Sequence, residues 1–239
     1  MAIPDAFLLS DNSLDGLCDF VFSGLESNHD DPAWLANRTL IAPTNNAVDQ
    51  INDLMISRFP GAEVIYKSCD IVDNEHLYPI EFVNRLTPPG FPPHILKIKK
   101  GSCIMLLRNF DASAGHCNGT HYIVVQTGKH IIDAMIATGP HMGKRLFIPR
   151  IPMSPSDNLY PFTMKRKQFP IRPAFGVTAN KSQGQTLHKI GIWLPSQMFS
   201  HGQYYVANSR VGSSNSLKIV TVKEESGYYA DNIVYPEIL

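Results

Sequence analysis

The sequence has no CxxC pair, no His pair at metal-ligand spacing, and no Lys or Arg in its first 37 residues. The four cysteines, Cys18, Cys69, Cys103 and Cys117, are dispersed, which speaks against a zinc site or a disulfide framework. His116 beside Cys117 is read as a loop pair rather than a metal site. No apolar run reaches the roughly 18 residues needed to span a bilayer. No basic residue precedes the short apolar stretch near the start, so a secretory signal is not expected and an intracellular protein is. Two further absences concern phosphate chemistry. A phosphate loop needs GxxxxGK[ST] after a strand. The nearest string, Gly139-Pro140-His141-Met142-Gly143-Lys144-Arg145, is one residue short and ends in arginine. Nor does an acidic pair follow an apolar strand to hold magnesium.

What is present suits a globular protein: 44% hydrophobic and 18% charged residues, with a formal net charge of zero. The charge is unevenly placed. Met1 to Asn37 carries seven acidic residues, whereas Lys144 to Lys189 carries nine Lys or Arg and a single acid, Asp157. His94 to Arg108 adds Lys97, Lys99, Lys100 and Arg108 without an acid. Basic stretches interleaved with Phe147, Tyr160, Phe162, Phe169 and Phe175 can track a phosphate backbone, or can form an ordinary solvated face.

The pattern predicts an α/β layer interrupted by an all-β module. TLIAP (39–43) reads as a buried strand. Thr44 or Asn45 caps a helix on which Val48, Ile51, Met55 and Phe59 recur at helical spacing. AEVIYKS reads as a strand, Pro79 opens a short helix through EFVNRL, and TPPGFPPH (87–94) forbids its continuation. SCIMLLRN, HYIVVQT, HIIDAMIAT and RLFIPRI then read as strands joined by tight turns, predicting a small β-barrel over 98–152. RPAFGV, KIGIWL and SLKIVTV restore the α/β texture, with helices expected over 181–187 and in GQYYVANSR. The domain expectation is an acidic N-terminal segment over 1–38, an α/β domain over 39–97 and 153–239, and the insertion over 98–152.

Two strings carry chemistry. Thr178-Ala179-Asn180-Lys181-Ser182-Gln183-Gly184-Gln185-Thr186 follows a strand, with hydroxyls, a cation and a glycine where phosphate oxygens can approach. The alternative is a loop with a well-made cap. In Gln203-Tyr204-Tyr205-Val206-Ala207-Asn208-Ser209-Arg210-Val211, Arg210 ends a helix. It can complement the helix dipole there or face a phosphoryl group.

These strings, in this order, resemble the Pif-one (petite integration frequency) superfamily 1 DNA helicases, especially those of Helitron-type transposons. The resemblance runs from about Leu40 to Val222. It includes Ala42-Pro43-Thr44-Asn45, Tyr78-Pro79-Ile80-Glu81-Phe82, Ile104-Met105-Leu106-Leu107-Arg108-Asn109, Cys117-Asn118-Gly119-Thr120, Phe147-Ile148-Pro149-Arg150, Gln168-Phe169-Pro170 and Ser200-His201-Gly202-Gln203. It implies a second RecA-like motor domain, a parallel sheet with flanking helices, interrupted by a small inserted β-barrel. It implies that Thr44, Asn45, Thr178, Asn180, Lys181 and Ser182 touch single-stranded DNA, that Gln183 and Gly184 face nucleotide phosphates, and that Arg210 is an arginine finger. ATP and magnesium belong to the full helicase, whose first motor domain would be a partner in cis or in trans. Travel would be 5′→3′, in genome maintenance, telomere upkeep or transposition, in the nucleus of a eukaryote. Asn208 departs from the family, which has an aliphatic residue there. Two readings follow: the C-terminal part of a helicase, inactive alone, or a non-catalytic single-strand-binding module derived from one.

Overall fold

The computed structural model describes residues 1–73, 75–155, 159–224 and 227–235. Asp157, the lone acid of the basic stretch, lies outside them. The helices are α1 (Leu14–Val21), α2 (Leu25–Asn28), α3 (Pro32–Ala36), α4 (Asn45–Arg58), α5 (Ile80–Arg85) and α6 (Gln203–Asn208). The strands begin with β1 (Arg38–Ala42), β2 (Glu63–Lys67), β3 (Cys69–Val72), β4 (Ile95–Lys99), β5 (Cys103–Leu106), β6 (His121–Thr127) and β7 (Ile131–Ile136). They continue with β8 (Arg145–Pro149), β9 (Ile151–Met153), β10 (Met164–Gln168), β11 (Ile171–Pro173), β12 (Gly176–Thr178), β13 (Lys189–Leu194) and β14 (Leu217–Thr221). The chain divides into two compact units, Met1–Phe59 with Ala174–Leu239, and Pro60–Pro173.

The first unit is built on a parallel sheet of order β12-β1-β13-β14. Leu40 pairs with Gly176 on one side and Gly191 on the other, so all three share one face. Two helices press onto that face closely enough to require the glycines. A Cβ at Gly176 would stand 2.7 Å from Ile51 of α4, and one at Gly191 would stand 2.7 Å from Leu17 of α1. The opposite face presents Ile41, Val177, Ile190 and Ile192 to Tyr204 and Ala207 of α6. Helices on both faces are what a buried parallel sheet demands.

Residues 1–38 are not an appendage. Leu17 and Val21 of α1 are fully buried, and Ile3 joins the core under α6.

The second unit is antiparallel. A five-stranded sheet of order β11-β5-β6-β7-β8 shares a core with Tyr66, Leu96 and Ile98 from the β2–β4 pair. A third sheet has the order β3-β10-β9. The expected barrel is not closed: β8 and β11 are edges of the five-stranded sheet, and no bridge joins them among the described residues. The unit is also wider than 98–152. The strand–helix–strand alternation of residues 39–85 suggests an α/β layer throughout. Yet β2 pairs with β4 and β3 with β10, which draws residues 60–97 and 153–173 into this unit.

Arg166 of β10 is fully buried. Its guanidinium meets both oxygens of Asp70 and donates to the carbonyls of Val83, Leu86 and Pro92. These bonds pin α5 and the proline-rich connection to the β3–β10 pair.

Candidate nucleic-acid interface

In a parallel sheet all strands point the same way, so the loops that leave their carboxyl ends collect along one edge. Register places Ala42 of β1 beside Thr178 of β12. Their following segments, Thr44-Asn45 and Thr178-Ala179-Asn180-Lys181, therefore emerge side by side. Carboxyl ends of strands are where open α/β sheets place ligands.

Thr44 is the N-cap of α4, and its Oγ1 accepts the amide of Ala47 at 3.3 Å. A hydroxyl that accepts one bond still has its own proton to donate. Asn45 follows, exposed, in the first turn of a 14-residue helix whose positive end faces the edge. Thr178 is half-buried, while Asn180 and Lys181 are exposed. Ser182 is different: it is fully buried, and its Oγ donates to the Ala179 carbonyl at 2.7 Å. That hydroxyl is engaged inside the turn and shapes the loop.

The helix expected over 181–187 does not form. Ala179–Ser182 is a single 3₁₀ turn, after which Gln183 is extended and Gly184 takes φ +74°. A left-handed glycine ends helical winding, and nothing lies within 4 Å of where its Cβ would be. Gln183 and Gly184 are thus exposed on an open bend.

Arg210 reaches the same bend. Its Nη1 donates to the Gln185 carbonyl at 3.3 Å, Nε to Val206 at 2.9 Å and Nη2 to the Ser209 hydroxyl at 2.6 Å. The Leu187 amide in turn donates to the Arg210 carbonyl. Three bonds from a group with five N–H donors leave it able to bind an anion as well. Arg210 and the open glycine fit one wall of a phosphate site. Among the described residues no group of three His, Cys, Asp or Glu side chains fits a metal. Asn208, the polar departure behind the arginine, donates to the Tyr204 carbonyl at 2.7 Å and so is satisfied within its own helix.

Gln203 stands in two of the strings singled out in the sequence, but its residue type alone gives it no role. It is buried, its Oε1 accepts the amides of Phe199 and Ser200 at 3.2 Å, and its Nε2 reaches Asn180 Oδ1 at 3.5 Å. The available signal was a polar residue on the helix face that also buries Tyr204 and Ala207. Gln203 ties the segment after β13 to the segment after β12.

The family profile described as DNA helicase Pif1, 2B domain, matches residues 81–127, inside the second unit. Over 187 residues the chain is 27% identical to the ATP-dependent DNA helicase PIF1 of Danio rerio, covering 76% of this chain and 27% of that protein. Over 205 residues it is 26% identical to the ATP-dependent DNA helicase Pif1 of Campylobacter jejuni, covering 82% of this chain and 45% of that one. The chain therefore spans less than half the length of either relative. Among solved structures, Pif1 helicase from Candida albicans aligns with a TM-score of 0.57 at 21% identity, over 86% of this chain and 53% of that one. Bacteroides Pif1 bound to ssDNA aligns with a TM-score of 0.59 at 20% identity, over 95% and 57%. Bacteroides Pif1 in complex with ADP-AlF3 and ssDNA aligns at 0.57 and 22% identity, over 94% and 52%. At these identities the structural likeness shows the fold, a RecA-like α/β arrangement with a parallel sheet. Taken with the profile and the sequence relatives, it makes the chain similar to Pif1 helicases along most of its length, in a match that fits the C-terminal portion of such a helicase.

Proposed function

We propose that this chain is the second motor half of an ATP-dependent 5′→3′ DNA helicase, supplying single-strand contacts and an arginine finger to a first motor domain in cis or in trans. The observation that carries the reading is the Ala42–Thr178 register, which sets two polar loops side by side at the carboxyl edge. Thr44, Asn45, Thr178, Asn180 and Lys181 would hold the strand's phosphates, with Ser182 holding the loop. Gln183, Gly184 and Arg210 would face the phosphates of ATP. The relatives' names and the ssDNA-bound Bacteroides structure support the same direction. ATP and magnesium complete the chemistry in the full helicase, where the γ-phosphoryl group carries the charge that Arg210 would neutralise. The second unit would act as the 2B insertion of that motor. DNA repair, recombination, telomere maintenance and Helitron transposition are the settings we propose for it, in the nucleus of a eukaryote.

The test is a salt titration of single-strand binding by the purified chain. Affinity should fall as salt rises, and Lys181→Ala with Thr44→Ala should abolish most of it. The chain alone should show no DNA-stimulated ATP hydrolysis. Salt-independent binding, or none, contradicts the strand contacts, and hydrolysis by the pure chain contradicts the half-motor reading. A second reading, a non-catalytic single-strand-binding module, rests on the same contacts. It predicts that adding a Pif1 first motor domain restores no hydrolysis.

A further inference from the structure

The carboxyl edge of the first unit carries a third segment that the proposed strand contacts do not use. After β13 the chain runs through residues 195–202 before α6 begins at Gln203. Since β13 is parallel to β1 and directly beside it, this segment leaves the sheet on the same edge as Thr44 and Asn180. Within it Met198 is buried in the core, whereas its neighbour Phe199 is 61% exposed. An exposed ring on an anchored loop leaves apolar area that a ligand can bury.

The ring is not on a loose tip. Gln203 Oε1 accepts the amides of both Phe199 and Ser200, and the same amide group reaches Asn180 through Nε2. Farther along the segment, the His201 ring accepts the Tyr235 amide at 2.8 Å, and the Gly202 amide donates to the Ile233 carbonyl. The backbone that carries Phe199 is therefore tied through Gln203 to Asn180 of the polar loop. The edge then offers two chemistries side by side. Hydroxyls, an amide and the Lys181 cation suit phosphates, and an exposed aromatic ring on a fixed backbone suits a base. Strand-binding proteins combine these two elements, because every base has a π-face and stacking tolerates any sequence.

We infer that Phe199 is a base-stacking platform, receiving one unpaired base of the strand whose phosphates lie along Thr44, Asn180 and Lys181. This rests on the strand contacts proposed above and adds to them the position where a base is held. The Gln203 amide acts as a positioning residue, since it touches the backbone of Phe199 and not the ligand.

The experiment compares two labelled probes by fluorescence anisotropy on the full chain: a thymidine oligonucleotide and an abasic deoxyribose-phosphate strand of equal length. Phe199→Ala should weaken thymidine-strand binding about 10-fold, the order expected for one lost stacking contact. It should leave abasic-strand binding unchanged, and Phe199→Tyr should bind both probes as the parent does. Thermal midpoints of both variants should match the parent, because the side chain is exposed. If Phe199→Ala binds both probes like the parent while Lys181→Ala loses both, stacking is overturned and the phosphate contacts stand. Equal weakening of both probes by Phe199→Ala also overturns stacking. If the parent binds neither probe, the strand reading itself has failed, and the platform with it.

Discussion

The two units handle polar groups in opposite ways. In the first, the buried polar side chains are uncharged, Asn52, Ser182 and Gln203 among them, and the Lys181 cation sits exposed at the rim of a parallel sheet. In the second, the most elaborate polar arrangement is buried. Arg166 and Asp70, both without exposed side-chain surface, hold one another and three backbone carbonyls. Ser68 extends that cluster, donating to Asp70 at 2.6 Å and meeting His94 at 2.7 Å. A buried charge pair is costly to desolvate and costlier to break. It suits a scaffold, whereas an exposed rim suits a ligand. The contrast teaches that charge in a sequence does not by itself mark a binding surface. Arg166 and Lys181 both belong to the basic stretch from Lys144 to Lys189, and one is architecture while the other faces solvent.

The largest effect should come from breaking the buried pair. Arg166→Leu leaves Asp70 uncompensated and frees three carbonyls, and should cost about 3–5 kcal/mol. Denaturant unfolding monitored by hydrogen exchange should show the loss in the amides of residues 60–173, with those of β1 and β13 little changed. Even loss across both units would erase the distinction drawn here.

The same comparison explains what could be read from sequence. KIGIWL and HYIVVQT became β13 and β6 at their expected limits, and the 45–58 helix formed where its apolar spacing put it. These are elements whose pattern is local. β10 gives no strand signal in the sequence, because MKRKQ looks like a solvated basic run. Its alternation puts Lys165 and Lys167 outside and Arg166 inside. Asp70, 96 residues away, and three backbone carbonyls make that burial tolerable. Unit boundaries and the open sheet were hidden for the same reason: they depend on which strands pair, as β3 does with β10. In the candidate site the residue types and their order were legible. The register that brings Thr44 and Thr178 together was not, nor was the burial of Ser182 or the replacement of the 181–187 helix by an open bend.

A smaller break is available in the first unit. Asn52 is buried, and its Oδ1 accepts the amides of Phe175 and Gly176 at 3.0 Å, holding the start of β12. Asn52→Ala leaves two buried donors without that acceptor and should cost roughly 1–3 kcal/mol. It should also weaken strand binding through β12, which Arg166→Leu should affect less. Calorimetry paired with anisotropy measures both. Smaller again, Thr44→Ala removes the cap of α4 and should cost about 1 kcal/mol, with Thr44→Ser restoring it. If the threonine contributes only its cap, strand affinity will follow stability. If its hydroxyl also donates to phosphate, affinity will fall further than stability.

The smallest effect concerns pH in the second unit. Burial lowers the His94 pKa from 6.5, with Arg166 and Lys67 pushing the same way and Asp70 opposing. The unfolded chain therefore binds the proton more readily than the folded one. Stability should be full above 6.5 and decline as pH falls below it, levelling off once the folded ring is also protonated. His94→Gln should flatten that slope in thermal melts, and a parent melt indifferent to pH across this window would contradict the assignment.

The measurement that tests the rim most directly is hydrogen–deuterium exchange of the intact chain with and without single-stranded DNA. Protection should appear in peptides covering residues 44–47, 178–185 and 197–203, with little change over β6 to β8. Protection confined to the second unit, or absent from the carboxyl-edge peptides while the chain is saturated with DNA, would contradict the account.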